Sequence, residues 1–434
     1  MSQCYKIIPL QGGRDFGTVQ VPGSKSITNR AILLAAFTSG QSRISNALFS
    51  EDTRYCVESV RGLGISVTED YVRKEILVTG KNKHIQFAEE KCYVGSAGTT
   101  ARFLTAMLAM IPGTYYLDAS SQMKARPMVE LINALKQLGV VFKYAEKSSC
   151  LPFTMIVPVK DPKETIIHLS LSCERSSQFL SALLMAAAVQ EREMEITVMG
   201  DVVAKPYIDI TIHILRAFGI IVQHNEYHKF RIPARQMLQP INFYVEPDVS
   251  SACYFFSVPA TVGGSILVKD IFWNTIQGDI QFLKILQKMG CQVKETSKGM
   301  WVSRHTDVLR GGFRINMNEY SDQVITLAVL ASMADAPVEI SNVKHIAFQE
   351  SNRVQACITE LRNLGGNVQE TEDGILVFPA SLQGSLVNSH NDHRIAMAFA
   401  LLGLRYPGIT IDNHICCRKT YPDFFQTLET LYTT

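Results

Sequence analysis

Gly62-Leu63-Gly64-Ile65-Ser66-Val67 is the stretch on which the fold turns. An amphipathic segment ends in an apolar residue and a glycine, and a β-type run follows at once. Glycine closes helices in the left-handed region, where a Cβ would be penalised. The same punctuation recurs at Gln137-Leu138-Gly139-Val140-Val141, Ala217-Phe218-Gly219-Ile220-Ile221-Val222, Lys288-Met289-Gly290-Cys291-Gln292-Val293 and Asn363-Leu364-Gly365-Gly366-Asn367-Val368. The steps between these glycines are 75, 80, 71 and 75 residues, which is the mark of an internal repeat.

A second series lies between them. Polar or small residues open helices that turn apolar immediately, over 26–36, 98–109, 176–188, 250–260, 321–331 and 391–402. Runs rich in valine and isoleucine, such as Ile196-Thr197-Val198-Met199 and Gly264-Ser265-Ile266-Leu267-Val268, read as strands. The unit is therefore βαβαββ, in six copies of an α/β fold. The sixth breaks off near Phe424 to Leu431, and the strand-like Cys4 to Leu10 has no preceding helix. The economical solution completes the last unit with the first strand. It predicts one domain over 22–245 and another from 1–21 plus 246–434, three units in each. An ordinary α/β protein with commonplace Leu-Gly helix ends is the plainer alternative.

The bulk numbers fit this picture. A chain of 434 residues exceeds one ordinary core, which favours two domains of roughly 200 residues. With 47% hydrophobic and 19% charged residues it reads as well packed, not disordered. A net charge of +2 argues against a broad nucleic-acid surface, so any cationic site must be local. The ten cysteines form no CxxC pair and no zinc spacing, and free thiols suit a reducing compartment. Met1 to Lys6 lacks the layout of a signal peptide. The longest apolar run, Phe179 to Val189, is short of the ~20 residues a membrane span needs. The expectation is a soluble cytoplasmic protein.

Polar residues gather at the helix starts. Pro22-Gly23-Ser24-Lys25-Ser26-Ile27-Thr28-Asn29-Arg30 feeds a helix whose opening turns carry Lys25, Ser26 and Arg30. Gly95-Ser96-Ala97-Gly98-Thr99-Thr100 offers small residues and exposed amides, and Arg175-Ser176-Ser177-Gln178 clusters hydrogen-bonding groups. Later starts carry Glu246-Pro247-Asp248, Ser321-Asp322 and Asn391-Asp392-His393-Arg394. Arg126, Lys205, Asp279, Glu350 with Arg353, and Lys419 stand at the other helices. Free amides at helix starts attract anions, and Lys25, Arg30, Arg126, Arg353, Arg394 and Lys419 would strengthen that attraction. Together they imply a small ligand with several anionic groups. Each residue also has a purely structural reading, as an N-cap or a solvated charge. His393 reads as structural, His224 and His228 as part of a hairpin and not a metal pair, and Cys416-Cys417 as spectators.

These residues, in this order, resemble the EPSP synthase family. The resemblance runs over essentially the whole chain, through 22–30, 95–104, 124–127, 176–185, 205–211, 350–353, 391–397 and 419–425. It implies a two-domain inside-out α/β barrel of six βαβαββ units, with the active site in the interdomain cleft. It also implies transfer of the enolpyruvyl group of phosphoenolpyruvate to the 5-hydroxyl of 3-phosphoshikimate, in aromatic amino acid biosynthesis. By resemblance, Lys25, Arg126, Gln178, Lys419 and the Gly98 amide hold the phosphoenolpyruvate phosphate, and Arg353 and Arg394 its carboxylate. Ser26 and Arg30 would meet the shikimate carboxylate, Ser176 and Ser177 its phosphate, and Tyr207 and Gln178 its ring. Lys25, Asp322 and Gln349 would also reach that substrate. Asp322 and Glu350 would share the acid–base work, with Lys25 assisting. The family needs no metal or organic cofactor, binds no nucleic acid or membrane, and is typically monomeric.

The departures matter equally. Ser96 stands where the family often has asparagine, Ala204 where it has serine, Gln349 where it has lysine and Phe103 where it has proline. Ala204 and Gln349 would weaken the grip on the acceptor's phosphate, and Arg175 is the candidate to replace the lost charge. Gly98 is retained, which leaves glyphosate sensitivity open. Three alternatives remain at this point. One is a transferase for a non-phosphorylated shikimate relative, and another the sister enzyme acting on UDP-N-acetylglucosamine. The last is a catalytically silent binder.

Overall fold

All five punctuating glycines take positive φ: 73° at Gly64, 77° at Gly139, 89° at Gly219, 99° at Gly290 and 87° at Gly365. They follow the helices Glu51–Gly62, Val129–Lys136, Pro206–Ala217, Phe282–Lys288 and Arg353–Asn363. Each glycine amide bonds back to a carbonyl of the helix it ends, as Gly64 N–H does to Arg61 at 2.8 Å and Gly365 N–H to Arg362 at 2.9 Å. This closes the helix and turns the chain into the following strand.

The computed structural model describes residues 4–82, 84–85, 92–159 and 166–433. Of the opening stretch read for a signal peptide, Met1 to Gln3 lie outside the described residues. The chain divides into two compact units, Gly23–Val245 and Met1–Pro22 with Glu246–Thr434.

Among the described residues, five four-stranded sheets and one three-stranded sheet account for the strands. Four-stranded sheets share one plan, in which a parallel pair is extended by an antiparallel hairpin. In one, Ile166–Ser172 runs parallel to Glu193–Met199, which pairs antiparallel with Lys229–Ile232, itself paired with Gln223–Asn225. The three-stranded sheet joins Tyr5–Lys6 antiparallel to Thr410–Ile411, which runs parallel to Leu386–Val387. The N-terminal strand thus completes the last repeat.

The structure also shows two exchanges that the repeat pattern did not foretell. Asp15–Val19 supplies the edge strand parallel to Gly264–Lys269, and Asn242–Tyr244 the edge strand parallel to Gln41–Ser45. The cause is local. The chain enters the unit at Gly23 directly into the helix Lys25–Ala36, with no strand between. That repeat must draw its first strand from the far end of its own unit. The strand just before the crossing stays behind and serves the fourth repeat.

Helices lie inside and sheets outside in each unit. Every residue of Gly98–Leu108 and of Val324–Ala331 is buried. The strands alternate, as the buried and exposed positions of Glu193–Met199 show. A helix apolar all round must be enclosed, whereas an alternating strand covers one face only. Fully burying a Leu or Ile in such a helix contributes about 1.5–3 kcal/mol. No helix among the described residues is long and apolar enough to cross a membrane.

Candidate active site

In the unit Gly23–Val245, one helix opens on a cation where ordinary helices place acids. Lys25 opens Lys25–Ala36, whose N-cap Ser24 makes no side-chain cap bond, and the first turn carries no acidic residue. The first turns of Gly98–Leu108 and Gln178–Ala187 carry none either. A lysine at the positive end of a helix dipole is unfavourable unless an anion joins it. Within the protein Asp52 partly plays that role, with Oδ2 3.4 Å from Lys25 Nζ. Asp52 is 1% exposed, and its Oδ1 has no hydrogen-bond partner among the described residues.

Gly98 and Arg126 come together. A Cβ on Gly98 would lie 2.8 Å from Arg126 Nη1, so the guanidinium rests against the helix start because no side chain intervenes. Free amides and a guanidinium at one point form an anion site in kind. Gln178 opens its helix with its amide N–H donating to Ser176 Oγ at 3.2 Å. Its side-chain Oε1 accepts from Arg102, which lies over the Phe179 ring at 5.2 Å. Ser177, the N-cap of that helix, is buried and makes no side-chain cap bond.

Arg30 is 1% exposed and already held by the protein. Its Nε donates to Thr211 Oγ1 at 2.8 Å, Nη1 to the Ser26 carbonyl at 2.9 Å and Nη2 to the Tyr207 carbonyl at 3.3 Å. It stacks on Phe103 at 4.8 Å. Burial lowers its pKa to about 10, with Tyr207 acting the other way. Arg175, the candidate substitute charge, is half exposed and pairs with Glu130 at 3.4 Å. Ala204 takes a φ of 50° just before the helix that carries Tyr207.

The other unit gathers its predicted residues into one network. Arg353 begins the helix Arg353–Asn363 and is 2% exposed. It reaches Asp392 at 2.8 Å, Glu350 at 2.8 Å and Asp322 at 3.1 Å, and donates to Gln349 Oε1. Arg394 reaches Asp322 at 2.5 Å, and Lys419 reaches Glu350 at 3.5 Å. Burial works against the charge of Arg353, but Asp392, Glu350 and Asp322 outweigh it and raise its pKa. Asp392 is the pivot: Oδ1 caps the helix His393–Arg405 through the Arg394 amide at 2.9 Å, while Oδ2 takes Arg353 Nε.

Asp322 and Glu350 thus stand against three cations with 15% and 10% of their side chains exposed. An arriving anion would compete with them for Arg394 and Lys419. Sequence reasoning missed several supports: Asp52, Arg102, the Thr211 and Ser181 hydroxyls near Arg30, Tyr254 beside Arg394, and His345 bonded to Ser321. These are buried polar residues within helix patterns, and only tertiary contact separates them from ordinary core or cap positions. Among the described residues no group of three His, Cys, Asp or Glu side chains could hold a metal.

Repeated βαβαββ units in two compact bodies, with helix starts carrying buried cations and carboxylates, define an α/β protein suited to small anions. The family profile of EPSP synthase (3-phosphoshikimate 1-carboxyvinyltransferase) matches residues 11–428. A protein of Trichormus variabilis described as 3-phosphoshikimate 1-carboxyvinyltransferase is 39% identical over 412 residues, covering 94% of both chains. One of the same description from Vibrio campbellii is 38% identical over 418 residues, 96% of each chain. An EPSP synthase of Acinetobacter baumannii superposes with a TM-score of 0.79 at 24% identity, over 99% of this chain and 98% of that one. The chain belongs to the EPSP synthase family.

Proposed function

We propose that the protein transfers the enolpyruvyl group of phosphoenolpyruvate to the 5-hydroxyl of 3-phosphoshikimate and releases phosphate. The observation that carries this reading is the joined network of Asp322 and Glu350 with Arg353, Arg394 and Lys419. A pure binder has no use for proton-exchanging carboxylates set among the cations that grip its ligand.

In this reading the 5-hydroxyl oxygen attacks C2 of phosphoenolpyruvate while a carboxylate takes its proton. A carboxylic acid delivers a proton to C3, which becomes a methyl group. The tetrahedral intermediate then loses a proton from that methyl as the C2–O bond to phosphate breaks. Asp322 and Glu350 carry the protons, with Lys25 assisting. Arg126, Gln178, Lys419 and the Gly98 amide hold the leaving phosphate, and Arg353 and Arg394 the carboxylate. Ser26, Arg30, Ser176, Ser177, Tyr207 and Gln349 serve the acceptor. That residues of both units act on one pair of substrates, in a cleft between three-repeat domains, is part of the proposal and rests on the family's chemistry. So do a monomeric state and a cytoplasmic location, the latter in keeping with the ten free cysteines.

Phosphate release from the two substrates tests the reading, and its absence with the unaltered protein would sink it. A transferase for a non-phosphorylated acceptor is favoured by Ala204, Gln349 and the engagement of Arg175 with Glu130. Phosphate release with shikimate equal to that with 3-phosphoshikimate would select that second reading.

A further inference from the structure

We propose that Asp279 is a positioning residue for Asp322: it fixes the turn that presents Asp322 and places a second negative charge beside it. The proposal rests on the acid–base reading of Asp322 given above.

Asp279 lies in the 3-10 turn Gly278–Gln281 and is 4% exposed. No ion pair reaches its carboxylate among the described residues. It accepts instead from the Ser250 hydroxyl and, at 3.3 Å, from Gln323 Nε2. Gln323 is the residue after Asp322. Its Nε2 also donates to the Ser250 carbonyl at 3.3 Å, and its Oε1 accepts from Thr326 at 3.2 Å. On the other side of Asp322, Ser321 Oγ lies 2.9 Å from His345 Nε2. Asp322 is therefore clamped through both neighbours, and Asp279 anchors one clamp.

A buried carboxylate without a cation is expensive, and a neutral serine and amide would suffice for structure alone. Burial raises the proton affinity of Asp279, the charge of Asp322 raises it further, and Arg394, Ser250 and Gln323 oppose the rise. From the helix Val249–Val262, the Cys253 thiol donates to the Asp279 carbonyl at 3.6 Å, and Asp248, the N-cap of that helix, acts on the same thiol. From Phe282–Lys288 only Lys284 and Lys288 are charged, and both are exposed. Asp322 thus raises the proton affinity of Asp279 while Arg394 offsets it, and a negative charge on Asp279 must by the same Coulomb interaction act back on Asp322.

The test is the pH dependence of phosphate release in Asp279→Asn, which keeps the shape and removes the charge. The limb governed by Asp322 should move to lower pH by about one unit, whichever proton Asp322 carries, with the Michaelis constants of both substrates changed less than about threefold. Ser250→Ala leaves Asp279 more protonated and should move the limb the same way by less, which serves if the first variant does not fold. A rate lowered equally at every pH, with the limb unmoved, would mean a merely structural carboxylate and overturn the proposal. No phosphate release by the unaltered protein would count against the transfer reading alone. Urea unfolding then decides: the unaltered protein should lose stability relative to Asp279→Asn as pH rises from 5 to 7, and parallel profiles would overturn the proposal.

Discussion

Replacing His345 by glutamine should erase a pH dependence from the unit that contains it. His345 is 7% exposed, and its Nε2 lies 2.9 Å from Ser321 Oγ. Burial lowers its pKa from 6.5 to about 4, against a smaller upward pull from Asp322. The folded state therefore holds the neutral imidazole, while the unfolded chain takes a proton below about pH 6.5. Stability from this group is complete above the unfolded value and is lost as pH falls toward the folded one. The full span is worth about 3 kcal/mol, of which about 2 kcal/mol disappears between pH 7 and pH 5.

Urea unfolding followed by tryptophan fluorescence reads it directly, because the chain's 2 tryptophans, Trp273 and Trp301, both belong to the same unit as His345. Glutamine can still bond Ser321 but takes no proton. The difference in unfolding free energy between the two proteins should change by about 2 kcal/mol between pH 7 and pH 5. A change below about 0.5 kcal/mol would refute the claim that the imidazole is held neutral.

Other predictions concern the site itself. Gly98→Ala places a methyl 2.8 Å from Arg126 Nη1 and should push the guanidinium aside. The Michaelis constant for phosphoenolpyruvate should rise about tenfold or more, with kcat less affected, as steady-state kinetics would show. Arg353→Met strands three carboxylates with little water around them and should cost about 3–5 kcal/mol in urea unfolding as well as the activity. Glu350→Gln keeps the bond to Arg353 but cannot carry a proton, and kcat for phosphate release should drop about 10²–10⁴-fold with the fold intact by circular dichroism. Arg175→Ala should leave the Michaelis constant for the phosphorylated acceptor within about twofold, since Arg175 is half exposed and engaged with Glu130. A selective weakening of acceptor binding would restore Arg175 as the substitute charge.

Local chemistry made much of the architecture legible. A helix end that needs a left-handed residue selects glycine at its own position, so Gly64, Gly139, Gly219, Gly290 and Gly365 announce the repeat without help from distant residues. The same holds for the apolar helices between them and for the polar residues at their starts. The strand exchanges were not legible. Whether Asp15–Val19 pairs with the next strand or with Gly264–Lys269 depends on which edge is unfilled, and that is settled only when sheets form. The supports of the site were hidden for a related reason. Asp52, Arg102 and His345 look like ordinary polar residues in sequence. Burial and a partner far along the chain decide whether each is a cap, an anchor or a proton carrier, because the energy of a charge is set by its surroundings and not by its identity.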